Sequence, residues 1–338
     1  MTLRRSVTGV ILIAAAAFLF YELHTRIHFD WATFGAQLRF ADPVHIFFGV
    51  ALIYATYFLR SLRWSIFLSP VKRVSPLVLL GPQFIGFTAV GLFGRLADLS
   101  RPFLVARRVK LSVSSQIAVY TIERMFDLGA AAIIFSSALL FTPRDMPHHE
   151  VFLKAGPVAL AVTAVVAIFV VSIRVAGLRV ASILSKVPSI GESLATKILT
   201  FRDGLNAIRS LWEFVIVLLL SLSMWVLIGF AYLQTAHAFV LTPELAHLSF
   251  SSTMLLMAAS IGGSLLQLPI IGWFTQIAVT ATAMHTFYGA PVEAATACGG
   301  LLLFVTFLCI IPVGLVYAKI EGVTLREVTR DSKEIPVA

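Results

Sequence analysis

The residues that could do chemistry in this chain fall in three short stretches. The first is GLFGRLADLSRPFLVARR, residues 91–108, with Arg95, Arg101, Arg107 and Arg108 around a single acid, Asp98. On a helix Arg95, Asp98 and Arg101 are three apart and share a face, where they partly neutralise one another. Arg107, Arg108 and Lys110 read as an anchor for anionic headgroups. Arg95 and Asp98 stand beside a Pro/Gly-rich segment, where a half-helix end could meet a polar headgroup. The second stretch is YTIERMFDLGAA, residues 120–131. Glu123 and Asp127 are four apart, and Arg124 is three from Asp127. Each charge at the centre of a spanning helix costs roughly 2.5–3.5 kcal/mol on insertion scales. Three together must face the protein interior, either locking helices together or meeting a headgroup or a proton. The third is LLQLPIIGWFTQ, residues 265–276, where Gln267 and Gln276 flank a Pro–Gly break and Trp273 lies between them. The glutamines either satisfy backbone freed by the break or contact a substrate, and Trp273 alternatively anchors at an interface. His148, His149 and Glu150 sit in a loop with no further ligands nearby, so no metal site is expected.

The elements holding these stretches belong to a membrane protein. Of 338 residues 59% are hydrophobic, only 13% are charged, and mean hydropathy is +0.92. A soluble domain carries about 25% charge, so this chain cannot wet its surface all round. The expected fold class is all-α, a polytopic integral membrane protein in one transmembrane domain over 1–338 with a cytoplasmic tail at 319–338. The net charge of +9 reflects basic loops held on the cytoplasmic side. No nucleic-acid motif competes with that reading. Cys298 and Cys309 have the spacing of neither a metal site nor a disulfide.

Apolar runs predict an uncleaved first span at 6–23, then spans at 44–64, 112–141, 155–173, 211–240 and 292–318. Two apolar regions are interrupted. Region 76–94 contains Pro82, Gly86, Gly91 and Gly94, and region 250–288 contains Gly262, Gly263, Pro269 and Gly272. Basic segments on both sides of 76–94 place both its ends in the cytoplasm, which predicts a re-entrant hairpin. Region 174–210 is basic and amphipathic, and is expected inside. The sum is about six full spans plus two broken or re-entrant hairpins, with eight or more spans as the alternative. Both termini are expected in the cytoplasm of a cell (inner) membrane protein. Span, broken hairpin, span occurs at 44–141 and again, oppositely oriented, at 211–318. That is the pattern of an inverted repeat with a midplane substrate site.

The motifs carry a resemblance. Gly94, Arg95, Asp98, Arg101 and Pro102, followed by Glu123, Arg124 and Asp127, resemble the lysylphosphatidylglycerol synthase transmembrane-region family, also called flippase-like domain proteins. In that family a Gly-Arg-x-Gly-Glu-x-x-Arg-Pro stretch precedes Glu-Arg-x-x-Asp. Here Asp98 stands for the glutamate and Ala97 for the second glycine. The second half departs from the pattern. Where the family has Pro-Gly-Gly-x-Gly-x-x-Glu, this chain reads Pro269-Ile-Ile-Gly-Trp-Phe-Thr-Gln276, so a neutral amide replaces an acid.

The resemblance implies a lipid flippase that moves a polar-headgroup lipid between leaflets, a phospholipid or a polyprenyl-linked glycolipid. It is expected to act without enzymatic chemistry and without a cofactor. The substrate-binding set is then Arg95, Asp98, Arg101, Glu123, Arg124, Asp127, Trp273 and Gln276. Expected partners are membrane lipids, anionic in headgroup, and envelope-lipid biosynthetic enzymes. Two other readings stay open: a membrane-embedded enzyme acting on a lipid phosphate, and an accessory subunit of an envelope-lipid pathway. No Walker loop, nucleophile elbow or zinc-protease helix is present. No soluble synthase domain lies within the 338 residues, so the chain is not expected to aminoacylate anything.

Overall fold

The computed structural model describes residues 29–142, 144, 149–185, 195, 199, 210–263 and 271–323, without the side chains of 95, 96, 166, 167, 169–171 and 173–175. The expected first span at 6–23 and most of region 174–210 lie outside these residues, as do Gln267 and His148. Within them the chain is helical and no strand occurs.

The helices are α1 (Trp31–Arg39), α2 (Pro43–Leu68), α3 (Pro76–Phe93), α4 (Ser100–Val109), α5 (Val113–Leu140), α6 (His149–Leu184), α7 (Leu211–His237), α8 (Pro243–Ala246), α9 (Phe250–Gly263), α10 (Ile271–Tyr288), α11 (Val292–Thr306) and α12 (Ile311–Ile320). A 3-10 turn, Arg95–Leu99, joins α3 to α4, and another, Leu308–Ile310, joins α11 to α12. Among the described residues four stretches are long and apolar enough to cross a bilayer: Pro43–Leu68, Pro76–Phe93, Leu211–His237 and Val292–Ile320. The 28 residues of α5 span about 42 Å at 1.5 Å per residue, but this helix carries three charges. Large apolar side chains remain exposed along the outside, among them Phe47, Phe48, Phe58, Val162, Leu219 and Phe304. Such a surface suits hydrocarbon. The protein is a polytopic helical membrane protein.

Helix starts follow local capping chemistry. The Asp42 carboxylate accepts from Val44 N–H at 2.8 Å, with Pro43 opening α2. Ser112 and Ser210 accept from the third residue of α5 and α7 through their hydroxyls. The first interrupted region differs from expectation. Residues 76–93 form one unbroken helix through Pro82, and the chain turns at Gly94, whose φ of 83° glycine adopts without strain. Proline is tolerated inside a spanning helix when neighbouring helices cover it, and α3 is packed between α2, α4 and α12. The hairpin is therefore α3, turn, α4, longer than the 76–94 expected. Its glycines act as clearances. A Cβ on Gly86 would lie 2.1 Å from Arg101 Cγ, so the absent side chain lets Arg101 cross α3.

The second interrupted region is a helix pair, α9 packed on α10, with residues 264–270 between them outside the described set. The last predicted span is itself broken. Phe307 leaves the helical region at φ −137°, ψ −55°, and Pro312 lies in the first turn of α12. The carbonyl of Cys309 is picked up instead by the Tyr54 hydroxyl at 2.8 Å.

The helix contacts come in matched pairs. The most extensive is α2 on α7, which lies at the centre. Around it α3 packs on α12 as α9 packs on α5, and α5 on α7 as α11 on α2. Likewise α3 packs on α4 as α9 on α10, and α4 on α5 as α10 on α11. Helix α6 lies against α5, and α1 against α11.

Candidate functional site

The polar centre of the molecule lies where α2, α3, α4 and α5 meet. Arg63 of α2 is fully buried. It donates to Glu123 at 2.8 Å, to Asp127 at 2.6 Å and to the Ser221 hydroxyl of α7 at 2.7 Å. The neighbouring Trp64 donates its indole N–H to the other Glu123 oxygen at 2.8 Å. Residues 63 and 64 thus hold both oxygens of one carboxylate, while Trp64, Phe67, Val105, Val119 and Phe126 close an apolar wall around it.

Arg101 enters from α4, also fully buried. Its Nε donates to Asp98 at 2.8 Å, and one terminal nitrogen reaches Gln83 Oε1 and Glu123 Oε2, each at 3.2 Å. Its guanidinium lies 4.6 Å from the Phe87 ring and 5.1 Å from the Tyr120 ring, cation–π distances. Phe87 also carries Arg60 at 5.1 Å on α2, so one ring serves two cations. Arg60 adds an ion pair to Asp127 at 3.4 Å and another to Glu123 at 3.6 Å. Asp98, in the turn after Gly94, accepts from the Tyr120 hydroxyl at 2.6 Å. Arg124 closes the group from the outer side, 3.2 Å from Asp127, 3.7 Å from Glu123 and 3.9 Å from Asp98.

Of the expected set, the structure brings together Asp98, Arg101, Glu123, Arg124 and Asp127. The backbone of Arg95 lies in the adjoining turn, and its side chain is outside the described residues. Gln276 and Trp273 belong to a different place. On α10, Gln276 donates to the Ser260 hydroxyl at 3.1 Å, and Ser260 also accepts from Tyr232 at 3.0 Å. Trp273 is half-buried on the same helix. Among the described residues no hydrogen bond or ion pair links either to the arginine cluster.

Sequence reasoning missed Arg60, Arg63, Trp64, Gln83 and Phe87. Arg60 and Arg63 look like the basic end of a span. The signal against that was their position: five residues of apolar helix follow Arg63 before α2 ends at Leu68. Gln83, a lone amide in an apolar helix, was a second such signal.

Chemically, the centre is a set of guanidinium groups and carboxylates sealed from water, next to a helix break, with one edge open at Arg124. It can hold a charged group and replace its water. Among the described residues no three His, Cys, Asp or Glu side chains are placed to hold a metal ion.

Comparison with known proteins gives one result. A family model described as the lysylphosphatidylglycerol synthase TM region matches residues 6–314. No curated protein and no solved structure matches the chain.

Proposed function

The chain belongs to the lysylphosphatidylglycerol synthase transmembrane-region family, and from that premise we propose that it moves a polar-headgroup lipid between the leaflets of a cell membrane. The lipid is a phospholipid or a polyprenyl-linked glycolipid. The observation that supports this best is the seven-charge cluster of Arg60, Arg63, Asp98, Arg101, Glu123, Arg124 and Asp127 inside a bundle whose outside is apolar. Charges at such depth are expensive and mark the path of a polar group through hydrocarbon. In this proposal Arg95, Arg101 and Arg124 meet the headgroup while Asp98, Glu123 and Asp127 keep the arginines apart and aimed. Trp273 and Gln276 line the second hairpin, at the matching place in the other half. The paired helix contacts support an inverted repeat of 44–141 and 211–318, an architecture that places substrate sites between broken helices. Both termini lie in the cytoplasm, and transport is facilitated or driven by an ion gradient. Envelope-lipid biosynthetic enzymes are the partners that would supply or consume the cargo.

The test is reconstitution of the full chain into liposomes containing a headgroup-labelled phospholipid, read by the fraction of label reached by a membrane-impermeant quencher. The protein is expected to expose label from the inner leaflet. Asp98→Asn and Arg95→Ala, checked for folding, are expected to slow this at least tenfold. Exchange at wild-type rate in both would sink the proposal.

A further inference from the structure

The arginine cluster is unbalanced in a way that specifies what it lacks. Four guanidinium groups face three carboxylates among the described side chains, one formal positive charge in excess. Its buried atoms without a hydrogen-bond partner among the described residues include Arg63 Nε, Arg101 Nη2, Arg124 Nε and Gln83 Nε2. All four are donors. The Gln83 orientation is fixed by its neighbour, because Oε1 accepts from Arg101 and leaves the amide N–H group unpaired. The acceptors, in contrast, are well used. Glu123 takes bonds from Arg63, Trp64 and Arg101, Asp127 from Arg63 and Arg60, and Asp98 from Arg101 and Tyr120. A buried charged donor without an acceptor is costly. A group that completes this cluster brings negative charge and several acceptor oxygens, and no donors.

We infer that the unpaired donors of Arg101, Gln83 and Arg124 form a seat for a phosphate-type oxyanion, carried by a lipid headgroup or free in solution. The inference deepens the translocase reading and rests on it for the lipid source. Arginine forks match the geometry of phosphate oxygens. Phe87 and Tyr120, flanking Arg101, fix the plane of its fork before the ligand arrives. Access is graded. The side chains of Arg63, Arg101 and Glu123 are sealed, that of Asp98 is 21% exposed and that of Arg124 35%. Arg124 is also the most exposed of the four arginines, held by ion pairs to all three carboxylates and by the Tyr120 ring at 5.2 Å. The α5 surface beside it, with Ala118, Thr121 and Leu128, is exposed. Leu128 lies one turn from Arg124 and is 72% exposed, so the half-exposed Arg124 borders an apolar face of α5. Arg124 is thus the first contact, and Arg101 and Gln83 the inner ones.

The experiment uses full-length protein in nanodiscs of mixed phosphatidylglycerol and diacylglycerol, which differ in the phosphate-bearing headgroup. Native mass spectrometry reads the lipid retained. A parallel titration with inorganic phosphate in detergent reads the free anion. The variants are Arg124→Gln, at the half-exposed rim, and Gln83→Leu, a near-isosteric loss of the amide, both checked by melting temperature. Loss of one charge-assisted hydrogen bond predicts about a tenfold or greater fall in retention. Wild type is expected to retain phosphatidylglycerol over diacylglycerol, and both variants to lose that preference. Phosphate binding that is sensitive to both variants, without any preference between the lipids, keeps the seat, assigns it to the free anion and removes the lipid reading. Retention and phosphate binding unchanged in both folded variants overturns the seat, whatever the liposome assay shows.

Discussion

The two hairpins occupy matching places in the contact pattern and solve the problem of buried polarity differently. The first, α3 with α4, is stitched to α2 and α5 by seven charges. Among the described residues the second, α9 with α10, is stitched to α7 by three neutral groups: Tyr232 and Gln276 both donate to Ser260. A neutral network of hydroxyls and an amide satisfies buried valence at little electrostatic cost. An ionic one holds helices together no better than an apolar core would, because desolvation offsets the attraction. The comparison separates the two tasks. The second hairpin shows what packing alone requires, and the charges of the first exceed it.

Glu123 is the position where the charged hairpin is most sensitive. Three donors from α2 and α4 meet on this one carboxylate, so Glu123→Ala leaves Trp64 without its acceptor and two buried arginines with one carboxylate each, Arg63 with Asp127 and Arg101 with Asp98. The expected cost is about 3–5 kcal/mol, read as a large drop in melting temperature or in folded yield. A melting curve equal to wild type would show that the cluster is better hydrated than its burial implies.

The complementary change puts a charge into the neutral hairpin. Gln276→Glu restores the acid of the family pattern but, among the described residues, meets hydroxyl groups and no cation. It is expected to destabilise by about 2–3 kcal/mol on the scale of a charge within a span, less than Glu123→Ala. Equal stability would mean that a cation reaches the second hairpin. A smaller effect is expected for Tyr232→Phe, which removes one bond to Ser260 and costs about 1 kcal/mol.

The smallest effect concerns Glu321, just beyond α12. Its carboxylate sits against Gly81 in the second turn of α3, and Arg108 is 4.0 Å away. Burial raises its pKa, with Arg108 and then Arg107 opposing. The fold therefore favours the protonated acid. This contribution is present below the ordinary carboxylate pKa and is lost as pH rises through the higher folded value. Glu321→Gln should match or slightly exceed wild-type stability at pH 7, and should not share the wild type's gain on acidification. Melting temperatures at pH 4.5 and 7 check it.

Much of the first site was legible because charges in an apolar helix need a reason, and Glu123, Arg124 and Asp127 stand out for that. Asp98 and Arg101 followed from spacing and resemblance. The rest was hidden by competing explanations. Arginines at the end of a span are what topology alone demands, so Arg60 and Arg63 did not signal contact with α5. Pro82, Gly86 and Gly91 look like helix breaks, but tertiary packing overrode Pro82, and Gly86 serves a neighbour from a different helix. The bond from Gln276 to Ser260, sixteen residues earlier, had no cue in its own stretch. The break at Phe307 had a cue in Pro312 but lay inside an otherwise continuous apolar run.

That break divides what would be one rod into two. The upper segment, α11, is packed with α10, α7 and α2, while the lower, α12, is packed with α3. The ends meet through Leu308–Ile310, with Tyr54 of α2 holding the carbonyl at the joint. In mechanical terms this is an elbow with a linkage arm on each side, one bolted to the charged hairpin and the other to the neutral one. A tilt of the first arm reaches the second, along this chain, through three residues and one tyrosine hydroxyl.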